Sequence, residues 1–363
     1  MAAPVPRSTV RDVATATGVS IATVSRVLNG HPNVAAPTRN LVLQAVNDLG
    51  SRAPLPRAAP AARSGPVYVR CPYVLTDYFG LVVSAVAETL ELHGRSVLLD
   101  AGQHAQSTHP LLGLAARSDV AGAVLVLPPE RSAELAALRR TGFPFVVVDP
   151  RTLPPPEVAA VSAAHATGAR RVTAHLLQLG HRRIGVIGGP REWSAAVERQ
   201  AGHAAAMVHA GLMPPPELYR PVEPTTDHGQ RAAGELLDLP DRPTALVCFN
   251  DKVAVGAMHA AAERGLQVPA DLSVTGFDDS DVARASTPQL TTVRQPLAEM
   301  GRIAVSLLVR LIARHQVDAR HVELATELIV RGSTAPPLRT DDPVSGQGRD
   351  RVRRRRTPGP TRP

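Results

Sequence analysis

The sequence predicts an α/β protein that carries a small all-α head at its N-terminus. Three observations predict this. Short apolar runs alternate with helix-periodic stretches from Val67 to about Ser333. Two short helical patterns separated by a turn occupy Thr9 to Gly30. Between these regions lies GSRAPLPRAAPAARSGP, residues 50–66, which has no apolar period and reads as a linker.

The head is expected at 1–49. Thr9 suits an N-cap with Asp12 three residues on, close to a capping box although Asp is shorter than the preferred Glu. Val10, Val13, Ala14 and Thr17 recur at helical spacing, and Gly18 breaks the run. Ser20 offers a second N-cap, and Val24, Val27 and Leu28 give the next helix its apolar face. The other face carries Ala22, Ser25, Arg26 and Asn29. Small polar groups allow close approach to a DNA major groove, where a guanidinium pairs with guanine O6 and N7. From the pattern alone, a helical hairpin at the edge of a core competes with that reading. A third helix starts near Pro37-Thr38.

Charge is unevenly placed along the 363 residues. The total is +8, yet residues 1–65 hold +5 and residues 336–363 another +5, leaving −2 for 66–335. Basic ends suit a nucleic-acid partner and a near-neutral body suits a regulatory domain. Lys252 is the only lysine among the 40 basic residues. An Arg-, Ala- and Pro-rich composition reflects a GC-rich genome more than function. Cys71 and Cys248 are read as two reduced, buried thiols. No segment has the length and apolarity of a membrane span, and the N-terminus lacks a charged-then-apolar leader, so a cytoplasmic protein with no membrane partner is expected.

In the body, strands are expected at 67–74, 96–101, 122–127, 143–149, 183–188, 244–250 and 272–278. Helices are expected at 80–93, 131–141, 167–179, 195–210, 229–238, 252–264 and 296–314. Strand–helix alternation argues for parallel sheets covered on both faces, and so many strands divide naturally into two Rossmann-like lobes. After Pro336-Pro337 the chain becomes a polar, basic tail, 336–363, with too few apolar residues to fold alone. Its run Arg353 to Arg356 either attracts phosphates or is simply solvated.

The head resembles the helix-turn-helix of the lac repressor (LacI/GalR) family. Asp12-Val13-Ala14, Gly18-Val19-Ser20 and Thr23 to Asn29 match its signature, as do Val34, Thr38-Arg39, Val42, Ala45 and Leu49; Thr17 replaces a usual Ala. The body resembles the family's type I periplasmic-binding-protein-like effector domain. Gly122-Ala123, Gly168-Ala169, the run from Gly180 to Ile184, Arg199 with Gly202, and the blocks 243–256 and 274–301 carry that likeness. The resemblance implies a two-lobed domain at 66–335, with lobe 1 at about 66–160 and 293–320 and lobe 2 at about 161–292 and 321–335. It also implies a hinge helix in the linker 50–65 that wedges a leucine into the minor groove. Here the leucine position falls on Pro60, with Pro54 and Pro56 also inside the hinge, and each proline in a helix costs ~3 kcal/mol or more. An extended hinge is therefore expected. Its Arg52, Arg57 and Arg63 either follow the DNA or remain solvated.

For site residues, the resemblance places Ile21, Ala22 and Arg26 against base edges, with Ser20, Thr23, Ser25 and Asn29 positioning phosphates or packing. Ligands in open α/β sheets lie beyond the carboxyl ends of strands. Asn250, Asp278, Arg199 and Tyr78 fall at such places, and a carboxylate, an amide and a guanidinium can bracket vicinal hydroxyls. Asp251, Asp279 and Ser280 are read as caps and turns. Gln295 corresponds to a position near the ligand, and Trp193 supplies either a stacking face or a core side chain. Three departures set this pocket apart: Ala164-His165 replaces an Asp-Asn pair, Pro224 a stacking aromatic, and Thr76 an Asn.

His104 and His109 lack the companions of a metal site, no cofactor is expected, and no G-x-S-x-G, Walker loop or H-E-x-x-H occurs. The reading is a non-catalytic, ligand-responsive transcription regulator. Its expected partners are a double-stranded DNA operator, a small sugar-like effector and a second copy of the chain in a homodimer. A pure solute-binding protein and an enzyme on the two-lobed scaffold are the competing classes; the head argues against the first and the missing catalytic constellation against the second.

Overall fold

The computed structural model describes residues 8–28, 33–49, 64–102, 105, 111–317 and 319–338. Asn29, His104, His109, most of the linker and the tail from 339 lie outside the described residues. The chain divides into two compact units, a head of Met1–Ser64 with Ile312–Arg314 and a body of Gly65–Leu311 with His315–Pro363.

In the head, α1 (Val10–Thr17) begins at a full capping box: Asp12 N–H donates to Thr9 Oγ1 at 3.3 Å, and Thr9 N–H donates to Asp12 Oδ2 at 2.6 Å. The shorter acid therefore suffices. Gly18 ends α1 at φ +66°, a conformation that costs a residue with a Cβ more than it costs glycine. Helix α2 (Ile21–Leu28) starts where Ser20 Oγ accepts from Thr23 N–H, and α3 (Ala36–Asp48) has Pro37 in its first turn. Val13, Ala14, Val24, Val27 and Val42 form the small core.

The body holds two parallel sheets. In chain order its first part runs β1 (Val67–Cys71), α4 (Asp77–Leu92), β2 (Val97–Ala101), α5 (Leu111–Leu114), β3 (Gly122–Val126), α6 (Ser132–Arg140), β4 (Phe145–Val148) and β5 (Ala159–Ala163). The second runs α7 (His165–Gln178), β6 (Ile184–Gly188), α8 (Ser194–His209), β7 (Tyr219–Pro221), α9 (Thr226–Leu237), β8 (Ala245–Cys248), α10 (Asp251–Glu263), β9 (Ser273–Thr275) and α11 (Asp281–Ala285). Then follow β10 (Thr292–Arg294), α12 (Leu297–Ile312), β11 (His321–Leu324) and β12 (Glu327–Ile329). The first sheet has the order β2-β1-β3-β4-β5-β11 and the second β7-β6-β8-β9. Strands β1, β3, β4, β6, β8 and β9 are buried throughout, as parallel strands covered on both faces must be.

The lobes are joined by three crossings: from β5 into α7, through β10 into α12, and from β11 to β12, with β10 and β12 paired antiparallel. One boundary differs from expectation. Residues 321–324, expected in lobe 2, pair with β5 in the sheet of lobe 1, His321 against Ala160 through Leu324 against Ala163. The chain returns to lobe 2 only after β11. Both cysteines are free and buried, as read, and burial lifts the Cys71 thiol to about 12, which makes it a poor nucleophile.

Candidate functional site

A cavity of about 510 Å³ lies between the lobes of the body, within the ~300–1,000 Å³ common for small-molecule sites. Its walls are the segments just beyond the carboxyl ends of β1, β3, β4, β6, β7, β8 and β9. Backbone strain is concentrated there. Six non-glycine residues among those described have positive φ, and four of them, Asp77, Leu127, Asp149 and Asp278, line the cavity. Such conformations cost about 1–3 kcal/mol each and persist where the surroundings over-determine them.

A hydrogen-bonded chain crosses the cavity floor from lobe to lobe. Tyr78 on α4 donates its hydroxyl to Asp149 Oδ2 at 2.6 Å. Asp149 Oδ1 lies 2.8 Å from Nε2 of His165, the first residue of α7, whose Nδ1 lies 3.3 Å from Arg199 on α8. A guanidinium only donates, so Nδ1 accepts and Nε2–H donates to Asp149. Arg199 also donates to the Phe249 carbonyl at 2.5 Å, stacks over the Phe277 ring at 3.7 Å and sits 3.8 Å from Asp278 Oδ1. Its Nε is buried with no partner.

The two carboxylates of this chain differ in character. Burial works against the charge of Asp149, but His165, Tyr78 and Arg199 outweigh it and hold the carboxyl below its usual range. Asp278 is pushed up to about 7, mainly by burial and then by Asp251 and Asp149, against the pull of Arg199 and the hydrogen bond from Gln295. The surroundings thus favour the charged form of Asp149 and disfavour that of Asp278.

The rim is tied across the lobes at two points. Lys252 Nζ, on lobe 2, lies 3.0 Å from Asp77 Oδ2 and 3.3 Å from Thr76 Oγ1 on lobe 1. Ser194 donates its N–H, at 2.7 Å, and its hydroxyl, at 3.0 Å, to the Arg151 carbonyl.

Of the expected effector residues, Tyr78, Trp193, Arg199, Asn250 and Asp278 all line the cavity. Asn250 at the same time N-caps α10, its Oδ1 accepting from Val253 N–H at 3.1 Å. Gln295 differs from expectation. It is buried behind Asp278, donating to Oδ1 at 2.7 Å, and is not on the cavity wall. Asp251 accepts from Ser280 and Thr292, and Asp279 from Arg294 and Arg331, so both are structural. Asp279 serves as an ion-pair hub more than as a turn residue.

Sequence reasoning missed Asp149 and Arg151, and at His165 it saw only the replacement of the Asp-Asn pair by Ala164-His165. Asp149 closes the expected strand 143–149, so the rule that led to Asp278 also pointed to it. The part His165 plays was not legible, because it depends on Asp149 and Arg199 meeting it in space.

In the head, Ser20, Ile21, Ala22 and Arg26 are exposed on one side of α2, Ile21 at 48%, while Thr23 and Ser25 are partly covered. An exposed helix of this kind can enter a major groove, with Ile21 and Ala22 meeting thymine methyls and Arg26 a guanine edge.

A three-helix head with an exposed second helix, followed by a two-lobed body around a cavity, defines a ligand-binding DNA regulator. Residues 9–51 match the family described as bacterial regulatory proteins, lacI family, and residues 173–334 match the periplasmic binding protein-like domain. Over 332 residues the chain is 33% identical to the HTH-type transcriptional repressor CytR of Escherichia coli K12, covering 90% of this chain and 96% of that one. Among solved structures, a complex of the transcriptional regulator CelR with cellobiose superposes with a TM-score of 0.68 at 32% identity, covering 90% of this chain and all of that one. The lac repressor dimer bound to operator and the anti-inducer ONPF gives 0.66 at 26% identity, covering 91% and 99%. The chain belongs to the lacI family of bacterial regulatory proteins, and it is a transcription regulator, not an enzyme. Among the described residues, no helix is long and apolar enough to cross a membrane.

Proposed function

We propose that this chain is a repressor that binds a near-palindromic operator as a homodimer and is switched by a small sugar-like effector in the cavity. The observation that carries the reading is the cavity itself, because its polar chain joins groups from both lobes: Tyr78 and Asp149 from one, His165, Arg199 and Asp278 from the other. A ligand that hydrogen-bonds both sides favours one lobe arrangement over the other, which is the requirement for a switch. The CelR relative was solved with cellobiose, and the lac repressor relative as a dimer on its operator.

In this reading Arg199, Asn250 and Asp278 hold effector hydroxyls, with Asp149 and Tyr78 on the opposite wall, Trp193 stacking, and Gln295 orienting Asp278. Ser20, Ile21, Ala22, Thr23, Ser25, Arg26 and Asn29 form the DNA face. Residues 1–49 read DNA, 50–65 link, 66–335 sense, and 336–363 form the tail. Two reading helices sit about 34–36 Å apart on the two half-sites.

A gel shift of the protein against DNA upstream of its own reading frame, paired with sedimentation of the complex, tests this. Sequence-selective binding of two copies per site is expected. Binding that ignores sequence, or one copy per site, overturns the operator reading.

A further inference from the structure

One side chain at the cavity rim is chemically unlike every other base in the chain. Lys252 is the only lysine among 40 basic residues, so no other side chain carries a primary amine. An arginine keeps its charge at any physiological pH, whereas an amine can be acylated and neutralised. Lys252 is also placed against the preference of its own helix. It is the second residue of α10, where the helix dipole disfavours a cation.

Its compensation comes from the other lobe. Nζ lies 3.0 Å from Asp77 Oδ2 and 3.3 Å from Thr76 Oγ1, at the start of α4. Asp77 is held there at φ +36°, a conformation uncommon for a residue with a Cβ. The lysine side chain is 38% exposed, so a reagent in solvent can reach it. A removable charge thus sits where two lobes meet, bonded to acceptors that only the opposite lobe supplies.

We propose that Lys252 is a modification site, at which an acyl phosphate acylates Nζ and so releases the lobes from each other at this rim. The clasped ammonium has no lone pair to offer. When the clasp opens and the nitrogen gives its proton to solvent, the amine attacks the carbonyl carbon of the donor. The N–C bond forms, the C–O bond to the phosphate breaks, and phosphate leaves with the electron pair. The product is a neutral amide, and Asp77 has lost its cationic partner across the cleft. The pair is part exposed, so its loss shifts the balance of lobe arrangements by up to about fivefold. Coupling runs both ways: an arrangement that keeps the clasp closed protects Lys252 from the reagent. The proposal concerns the rim alone and holds whatever the cavity binds.

The experiment treats the full chain with acetyl phosphate and follows acetyl at Lys252 by peptide mass spectrometry, with an added lysine-containing peptide as the reference. Acetylation of Lys252 is expected. Asp77→Asn, which takes away the carboxylate of the clasp, is expected to raise its initial rate at least about twofold relative to the peptide. Trp193 emission is read on the same samples. The acetylated chain, Lys252→Gln and Lys252→Met are expected to share one shift towards the more open arrangement. Lys252→Arg is expected to emit identically before and after treatment. Circular dichroism checks that the variants are folded. No acetyl at Lys252 while the peptide is modified overturns the site. A rate unchanged in Asp77→Asn overturns protection by the clasp, and an acetylated chain that emits like the untreated parent overturns release of the lobes.

Discussion

At the scale of single residues, the cavity is organised by how Asp149 and Asp278 are compensated. Asp149 is surrounded by donors, while Asp278 has Gln295 at 2.7 Å and Arg199 only at 3.8 Å, so burial dominates it. Its pKa is raised from an ordinary 3.8 to about 7. Between about pH 4 and 7 the folded chain therefore keeps a proton that the unfolded chain has released. The stability from this group is complete below about pH 4 and is lost as pH rises through 7. Asp251, raised to about 6 by burial, contributes with the same sign. Asp278→Asn should therefore flatten, without abolishing, the fall in thermal midpoint across that window. A pH profile identical to that of the parent would show that Asp278 ionises normally. In the head, Arg26→Ala should cost ~1–3 kcal/mol at an operator position holding guanine and relax the preference there, as scored by gel shifts on single-base operator variants. An equal loss on every sequence would make Arg26 a phosphate contact. The residue types of this site were legible where strand ends could be located, as at Asn250 and Asp278. The pairing of Arg199 with His165 was not, since 34 residues separate them and only the α7–α8 packing brings them together.

Among the elements, the long helices and buried strands were the legible ones, because each carries its own periodicity or apolar run. The seven expected strands all form, with ends trimmed to the residues that pair. Strands β5, β7, β10, β11 and β12 lie outside those seven. β7 and β12 have three residues each, and β11 alternates partly buried residues with exposed ones at a sheet edge. Such segments become strands because a distant partner offers its edge, and no local pattern announces that. Helix packing is similarly decided by contact. At Gly256 on α10, a Cβ would fall on the Thr226 carbonyl oxygen of α9, and Gln230 N is 2.7 Å from the same point. These are backbone atoms, so the helices would have to part. Gly256→Ala is expected to destabilise the body by ~1–3 kcal/mol in a urea titration, despite the better helix propensity of alanine. A stabilised variant would mean that the α9–α10 crossing can open freely.

On the scale of the whole molecule, the body is held as two lobes by three chain crossings, with the Lys252–Asp77 and Ser194–Arg151 contacts tying the rim. The Lys252–Asp77 pair is 38% and 24% exposed, so solvent screening limits it to at most about 1 kcal/mol. That is small for stability but enough to bias an equilibrium between lobe arrangements about fivefold. Trp193 reports on this equilibrium, being the only tryptophan and touching Tyr73 across the lobes. Ligand binding should shift its emission, and Lys252→Met should move the unliganded spectrum in the direction of a more open lobe arrangement. An emission insensitive both to saturating ligand and to Lys252→Met would indicate lobes that do not move. The sequence by itself determined the architecture and the family, since caps, helical periods and buried apolar runs are local properties written in consecutive residues. It also determined the exposed face of α2, which follows from where one helix hides its valines. Only the tertiary structure decided the cavity. Asp149, His165, Arg199 and Asp278 take their hydrogen-bond partners from positions 16 to 71 residues away in the chain, and electrostatics in a buried site depends on distance in space, not along the chain.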